Sequence, residues 1–175
     1  MSTSTISSRT DHPRRALLGL RRRPGRLALA VFRMPLRAAR SGHLPGRTFV
    51  TFVHTGRRTG QPHEAVAMIL GSDEATREVV ICAAWGPDTD WVRNLRAGPA
   101  TRVQLGRESF VPAQRFLSDQ EALDVLRRFR RRHPARLRLF CVALGWDDLR
   151  QDDAARAFVR THPFVAFRPA ASDHT

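Results

Sequence analysis

The distribution of apolar residues predicts that the first part of the chain forms short strands joined by tight turns. Apolar runs of strand length occupy residues 47–55, 65–70 and 79–84, and turn-forming residues separate them. In the first run apolar side chains occupy both alternating positions, so we expect both faces of that strand to be covered.

The middle of the chain mixes helical and strand periods. A short helix that Asp88 or Asp90 can cap is expected to carry its apolar residues on one side. Two further strands, 101–105 and 108–117, follow around a glycine turn. Pro112 lacks an amide hydrogen, so we expect an edge position or a bulge in the second of these strands.

The last third of the sequence predicts two or three helices and a final strand. Ser118 and Glu121 have the spacing of a capping box at the start of the first helix. Pro134 begins the second helix, and an aspartate of the Asp147-Asp148 pair caps the third. Residues 163–168 form the last strand. This order predicts an α+β domain, a small barrel of about six mostly antiparallel strands with peripheral helices.

Charge divides the chain into two parts. The net charge is +14, and all 30 basic residues are arginine; residues 1–63 contain 13 of them and a single acid. We therefore expect a basic N-terminal extension over residues 1–44 and a folded domain over residues 45–170. The pattern over residues 27–40 predicts an amphipathic helix. This helix either packs on the domain or makes peripheral contact with an anionic membrane surface.

Composition excludes several classes of protein. No apolar run approaches the length of a membrane-spanning helix, and only Cys82 and Cys141 are available for disulfides. Basic charge alone attracts phosphate, but no groove-reading module accompanies it, so we expect no specific nucleic-acid partner. Free thiols fit a cytoplasmic protein, with membrane association as the alternative that the N-terminal segment leaves open.

The turn between the first two strands has the most distinctive local sequence. Within residues 53–62, Arg57, Arg58 and Thr59 lie between Gly56 and Gly60. Backbone amides in a glycine turn bind anions, and guanidinium groups bind phosphate or carboxylate oxygens bidentately. The turn therefore predicts a site for the anionic tail of a ligand. The alternative is an exposed hairpin turn with incidental arginines.

These residues, together with three later segments, resemble the deazaflavin (F420)-dependent nitroreductase family of the split β-barrel superfamily that binds FMN or F420. The resemblance rests on residues 55–62, on Ala84-Trp85-Gly86, on residues 90–95 and on the strand 103–106. It covers about residues 45–117 strongly and residues 163–169 weakly. The resemblance implies a split β-barrel that binds coenzyme F420.

The resemblance also implies a set of cofactor-binding residues. The turn residues would bind the anionic tail, the second strand would line the coenzyme, the end of the third strand would approach its ring, and the short helix would close the site. In chain order these are Arg57, Arg58, Thr59, His63, Glu64, Ala65, Val66, Ala67, Met68, Cys82, Ala83, Ala84, Trp85, Asp90, Trp91, Val92, Arg93 and Asn94. No metal is expected.

The activity that the resemblance implies is hydride transfer from reduced coenzyme F420 to a small molecule with an activated double bond, quinone or nitro group. The catalytic residues stay unknown; His54 and His63 are the only histidines near the motif that could supply a proton. The chain has no tyrosine, and Ala84-Trp85 stands where the family often has Ser-Lys, so no particular acceptor is predicted.

Two alternatives stay open from the sequence. The first is an FMN-binding split-barrel oxidoreductase, because a single phosphate needs fewer arginines. The second is a non-catalytic protein that carries the cofactor or associates with a membrane. Split-barrel relatives occur as dimers, so a homodimer is a further expectation.

Overall fold

The computed structural model describes residues 48–171, which contain seven strands and four helices. The N-terminal extension and the amphipathic helix predicted over residues 27–40 lie outside the described residues. The elements in chain order are β1 (Phe49–Thr55), β2 (Pro62–Asp73), β3 (Glu78–Cys82), α1 (Asp90–Ala97), β4 (Arg102–Leu105), β5 (Glu108–Phe110), β6 (Pro112–Phe116), α2 (Asp119–Arg132), α3 (Pro134–Leu144), α4 (Asp152–Thr161) and β7 (Phe164–Pro169).

All seven strands belong to one antiparallel sheet in the order β5-β4-β1-β2-β3-β7-β6. Strands β5 and β6 are consecutive in the chain, yet they lie at the two ends of this order. Only Val111 separates them, so the two ends of the sheet must lie close together and the sheet curls into a nearly closed barrel. The predicted α+β barrel with peripheral helices is confirmed.

The prediction of one strand over residues 108–117 is wrong, because this segment forms two strands, β5 and β6. The β5 segment pairs with β4, and the β6 segment pairs with β7, so the chain crosses from one sheet end to the other at Val111. Pro112 begins β6, an edge strand of the order, as its missing amide hydrogen predicts. This division raises the strand count from about six to seven.

Two apolar clusters lie on opposite sides of β3 and β7. Ile81 and Phe167 point into the barrel, where both are fully buried. Val80 and Phe164 point outward and pack under α2, α3 and α4. The prediction that both faces of β1 are covered is wrong: its residues alternate between buried and half-buried, because the helices cover the other side of the barrel.

The α2 helix begins with the capping box that the sequence predicts. The Ser118 hydroxyl accepts a hydrogen bond from the Glu121 amide, and the Glu121 carboxylate accepts one from the Ser118 amide. Hydrogen bonds from Ser118, and next from Arg115, lower the pKa of Glu121 to about 2. Since this helix carries five buried residues of the outer cluster, its first turn fixes the helical layer on the barrel.

None of the helices within residues 48–171 has the length and apolar composition required to cross a membrane.

We predict that Ser118→Ala lowers the free energy of unfolding by about 1 kcal/mol, because it removes the side-chain acceptor of the cap. Urea denaturation at pH 7 measures this loss. The matched control is Ser109→Ala, which removes an exposed hydroxyl from β5. Equal stability of the two variants would contradict a stabilising cap.

Candidate functional site

A cavity lies where the β1–β2 turn meets the start of α1. Its volume is about 1100 Å³, and segments that follow β3 and the C-terminal ends of α3 and α4 complete its wall. The cavity is lined by His54, Gly56, Arg57, Arg58, Thr59, His63, Glu64, Ala65, Val66, Ala84, Trp85, Asp88, Thr89, Asp90, Trp91, Arg93, Asn94, Leu144, Gly145, Trp146 and His162.

The β1–β2 turn is folded tightly against its own side chains. The Gly56 amide donates to the Gln61 carbonyl over 2.8 Å, and the Gly60 amide donates to the Gly56 carbonyl over 2.8 Å. A Cβ atom on Gly56 would lie 2.7 Å from Thr59 Oγ1 and 2.8 Å from His63 Nε2, so both side chains would have to shift to admit a larger residue. Gly60 has a φ of 67°, which also favours glycine. These two glycines therefore set the conformation that presents Arg57 and Arg58.

Asn94 connects this turn to α1 and β1. Its Oδ1 accepts hydrogen bonds from Arg57 Nη1 over 2.9 Å and from the Arg57 amide over 3.2 Å. Its Nδ2 lies 3.1 Å from His54 Nδ1. Because both donors of Arg57 require the oxygen, the amide nitrogen must face His54. Asn94 and His54 are both buried, so one side chain fixes the relative positions of three elements.

The same contacts set the protonation state of His54. Burial, and next the nearby His63, lower its pKa below the ordinary value of 6.5. The ring is therefore neutral at pH 7, with Nδ1 accepting from Asn94 and the proton on Nε2. A neutral imidazole is a poor acid, so this geometry favours a positioning role for His54 over the supply of a proton.

The two arginines of the turn differ in their surroundings. Arg57 Nη1 also contacts Asp90 Oδ1 over 3.2 Å, and its side chain is only 22% exposed. Arg58 is exposed and makes no ion pair or hydrogen bond with residues 48–171. The turn thus offers one guanidinium held in place by the protein and one that is available to a ligand.

Aromatic rings form another part of the wall. Trp91 packs edge-on against Phe52 at 5.4 Å between centroids, so its ring joins the cavity to the barrel core. Trp146 donates from Nε1 to the Ala84 carbonyl over 3.3 Å and packs against Phe158. Trp85 also lines the cavity. These indoles give the cavity flat apolar surfaces suited to a planar ring.

His162 completes this aromatic part of the wall. Its ring stacks on Phe158 at 3.9 Å, and its Nδ1 lies 3.1 Å from the Phe158 carbonyl. A carbonyl only accepts, so Nδ1 carries the proton. Burial lowers the pKa of His162, so its ring is neutral at pH 7 and Nε2 is an acceptor.

The structure brings most of the predicted cofactor-binding residues to this cavity. Those that line it are Arg57, Arg58, Thr59, His63, Glu64, Ala65, Val66, Ala84, Trp85, Asp90, Trp91, Arg93 and Asn94.

Five predicted residues lie outside the lining. Ala67 and Met68 pair with Val50 and Phe49, at the end of β1 far from the turn, and therefore lie too far along β2. Ala83 and Val92 have no exposed surface. Cys82 packs against the outer cluster, and burial raises the pKa of its thiol to about 12.

Sequence reasoning missed the contribution of the chain after residue 140. Leu144, Gly145, Trp146 and His162 reach the cavity although they are distant in sequence from the turn. The available signal was local: Gly145 ends α3 in the left-handed conformation with a φ of 66°, and an indole follows directly. Aromatic residues at helix ends do not by themselves indicate which cavity they approach.

The charges on the lining suit an anion at one end only. Arg93 pairs with Asp88 over 2.6 Å and Arg57 with Asp90, which leaves Arg58 as a cation with no acidic partner among residues 48–171. No group of three or more metal-ligating side chains occurs within the described residues. The arrangement fits an organic ligand with a planar ring and an anionic tail.

One comparison with known protein families gives a match. The sequence profile described as F420H(2)-dependent quinone reductase matches residues 26–137. A comparison with curated proteins finds no significant match.

Similar solved structures include an F420-H2 dependent reductase, with 20% identity and a TM-score of 0.47 over 70% of this chain and 95% of that chain. Another is a pyridoxamine 5'-phosphate oxidase-related, FMN binding protein from Nostoc punctiforme. It has 15% identity and a TM-score of 0.43 over 86% of this chain and 83% of that chain.

We predict that Asn94→Asp raises the pKa of His54 above 6.5, because a carboxylate beside Nδ1 stabilises the protonated ring. An NMR titration of the histidine Cε1 protons measures the change. His162 is the internal control, since its pKa is lowered by burial elsewhere in the cavity wall. An unchanged titration of His54 would contradict the Asn94 contact.

The wild-type protein should lose stability as the pH falls. The pKa values of His54 and His162 are lower in the folded than in the unfolded chain, so the unfolded chain takes up protons first. The free energy of unfolding should therefore decrease as the pH drops below 6.5. Thermal unfolding measured from about pH 7.5 to about pH 5, a range that spans the titration of an ordinary histidine, tests this decrease.

Proposed function

The chain belongs to the F420H(2)-dependent quinone reductase family, and we propose that it transfers a hydride from reduced coenzyme F420 to a small electron-poor acceptor. The predicted resemblance to an F420-dependent reductase family is confirmed by the profile match, and coenzyme F420 is the cofactor of this family. Quinones, activated double bonds and nitro compounds are the acceptor classes we propose. The narrower assignment to nitroreductases stays a prediction.

One observation carries the proposal: a single cavity joins a glycine turn bearing two arginines to a wall of indole rings. The ligand must then be planar at one end and anionic at the other. At about 1100 Å³ the cavity exceeds the range of about 300–1000 Å³ typical of small-molecule sites, so a ring and a tail fit together.

The residues present fit the chemistry of the coenzyme. Arg58 would bind the phosphate and carboxylates of its tail, with Arg57 as a second guanidinium already fixed in place. The amides of Gly56, Arg57, Thr59, Gly60 and Gln61 already donate within the protein. Trp91 and Ala65 would contact the ring. When bound, the coenzyme supplies the hydride; the protein aligns the two partners and excludes water.

The acceptor is expected to lie against the part of the wall formed by Trp85, Trp146 and His162. Indole faces stack on planar electron-poor rings, and the neutral His162 ring offers an acceptor atom rather than a charge. The chain has no tyrosine for this surface, so orientation depends on packing. The accompanying proton is expected from water or from the exposed His63, because His54 is buried and neutral.

An FMN-dependent reductase is the second candidate, and one observation favours it. Asp90 pairs with Arg57, so Arg58 is the turn cation with no acidic partner among residues 48–171, and one unpaired cation suits a single phosphate. A protein that carries the cofactor without turnover has no feature in its favour beyond the absent tyrosines.

We predict that Arg58→Ala weakens binding of oxidised coenzyme F420 by roughly tenfold, the loss of about one charge-assisted contact. Isothermal titration measures the affinity. The matched control is Arg107→Ala, which removes an exposed arginine from the β4–β5 glycine turn. A second control is the deazaflavin core that lacks phosphate and glutamates, whose affinity Arg58→Ala should leave unchanged.

Two outcomes would overturn this assignment. Tighter binding of FMN than of coenzyme F420 would favour the second candidate. Equal affinities of Arg58→Ala and Arg107→Ala for coenzyme F420 would remove the turn from the tail-binding site.

We predict that Trp146→Ala raises the KM for a benzoquinone roughly three- to tenfold, the loss of one aromatic stacking contact. Trp146→Phe should retain most of the affinity, because it keeps an aromatic face. Steady-state oxidation of the reduced coenzyme, followed at several concentrations of the benzoquinone, gives both KM and kcat. A decrease in kcat alone would place Trp146 away from the bound acceptor.

A further inference from the structure

The α3 helix is apolar on two opposite faces. Leu137, Cys141 and Leu144 are buried against the domain. Leu139 and Val142 point away from them and are 63% and 47% exposed. At 100° per residue, Leu139 lies about 200° around the helix from Leu137. A helix that is apolar on both faces is normally covered on both.

Arginines flank this outer apolar face. Arg136 and Arg138 lie on either side of Leu139 on the helix surface, and both are exposed. The last turns of α2, which ends just before α3 begins, carry three further exposed arginines, Arg128, Arg131 and Arg132. Among residues 48–171, none of these five arginines forms an ion pair or a hydrogen bond. The outer face of α3 and these five arginines are termed the α3 surface below.

Three of the guanidinium-bearing side chains, Arg128, Arg132 and Arg136, also converge on one cleft of about 310 Å³ between α2, α3 and β2. Four acids line the same cleft. Glu78 and Glu121 bind Arg115.

The other two acids are also engaged. Asp73 accepts hydrogen bonds from the amides of Ala75 and Thr76, and Asp124 lies 3.9 Å from Arg127. The four arginines and four acids of this lining give the cleft no net formal charge. The positive charge of the α3 surface therefore rests on its five arginines without acidic partners among residues 48–171.

The positive charge of the α3 surface decides which kind of partner can cover it. A symmetric contact with a second copy would bring two arginine-rich surfaces together, which is repulsive. Residues 1–44 contain ten arginines and a single acid, so that segment is repelled as well. The surface requires a partner that is both anionic and apolar, and an anionic lipid bilayer presents both at once.

We propose that the α3 surface lies on an anionic membrane, with Leu139 and Val142 at the acyl boundary and the five arginines at lipid phosphates. This contact is separate from any made by the N-terminal extension, and it does not depend on the proposed coenzyme.

The C-terminal end of α3 lies next to the cavity described above. Its last residue, Leu144, and the following Gly145 and Trp146 line the large cavity. A lipid-soluble acceptor that leaves the membrane beside the end of α3 would therefore be close to residues that line the cavity.

The test uses the full chain and vesicles of equimolar phosphatidylglycerol and phosphatidylcholine, compared with phosphatidylcholine alone. Sedimentation should show binding to the anionic vesicles only, and Leu139→Ser with Val142→Ser should weaken it by about tenfold. The matched control is Val111→Ser, which removes an equally exposed apolar side chain from the β5–β6 junction. Circular dichroism confirms that each variant is folded.

A second measurement separates this contact from binding through the N-terminal extension. A tryptophan at Leu139→Trp should be quenched by brominated acyl chains, whereas one at Val111→Trp should not. Unchanged binding of the double serine variant, equal quenching at both positions, or equal binding to neutral vesicles would each overturn the proposal. So would the absence of vesicle binding by the wild-type chain.

Discussion

The buried Asn94 side chain is the contact on which the geometry of the cavity depends. Its oxygen accepts two hydrogen bonds from Arg57 and its nitrogen faces His54, so an amide from α1 joins the β1–β2 turn to the end of β1. Inside a low-dielectric interior such a network is stable only when every member is satisfied. The turn therefore cannot move independently of the helix, and the Arg57 guanidinium keeps a fixed position relative to α1.

Closure of the barrel explains why residues so distant in sequence reach the same place. Because β5 and β6 lie at opposite ends of the sheet order, the chain returns to β7 and brings the helical layer over the outer face of β3. The α3–α4 connection begins beside Ala84, whose carbonyl accepts a hydrogen bond from the Trp146 indole nitrogen. The turn supplies charge from one side of the barrel, and the helical layer supplies aromatic surface from the other.

The sequence predicts most of the fold because its signals are local. Alternation predicted the strands, Ser118 and Glu121 predicted the start of α2, and Pro112 predicted an edge position. The division at Val111 was missed, since nothing in the sequence of residues 108–117 indicates which neighbour each half will pair with. In the site, the turn and α1 were predicted together through the family resemblance. Trp146 and His162 were not, because their approach depends on how the helices pack over the barrel.

The unequal surroundings of Arg57 and Arg58 have a thermodynamic consequence. A guanidinium already held by Asn94 and Asp90 has lost its rotamer freedom before any ligand arrives, so an anion that reaches it gains the contact without further ordering. Arg58 is still free to sample rotamers and becomes ordered only on association. The entropic cost of binding an anion therefore falls on Arg58, whereas Arg57 is already ordered before the anion binds.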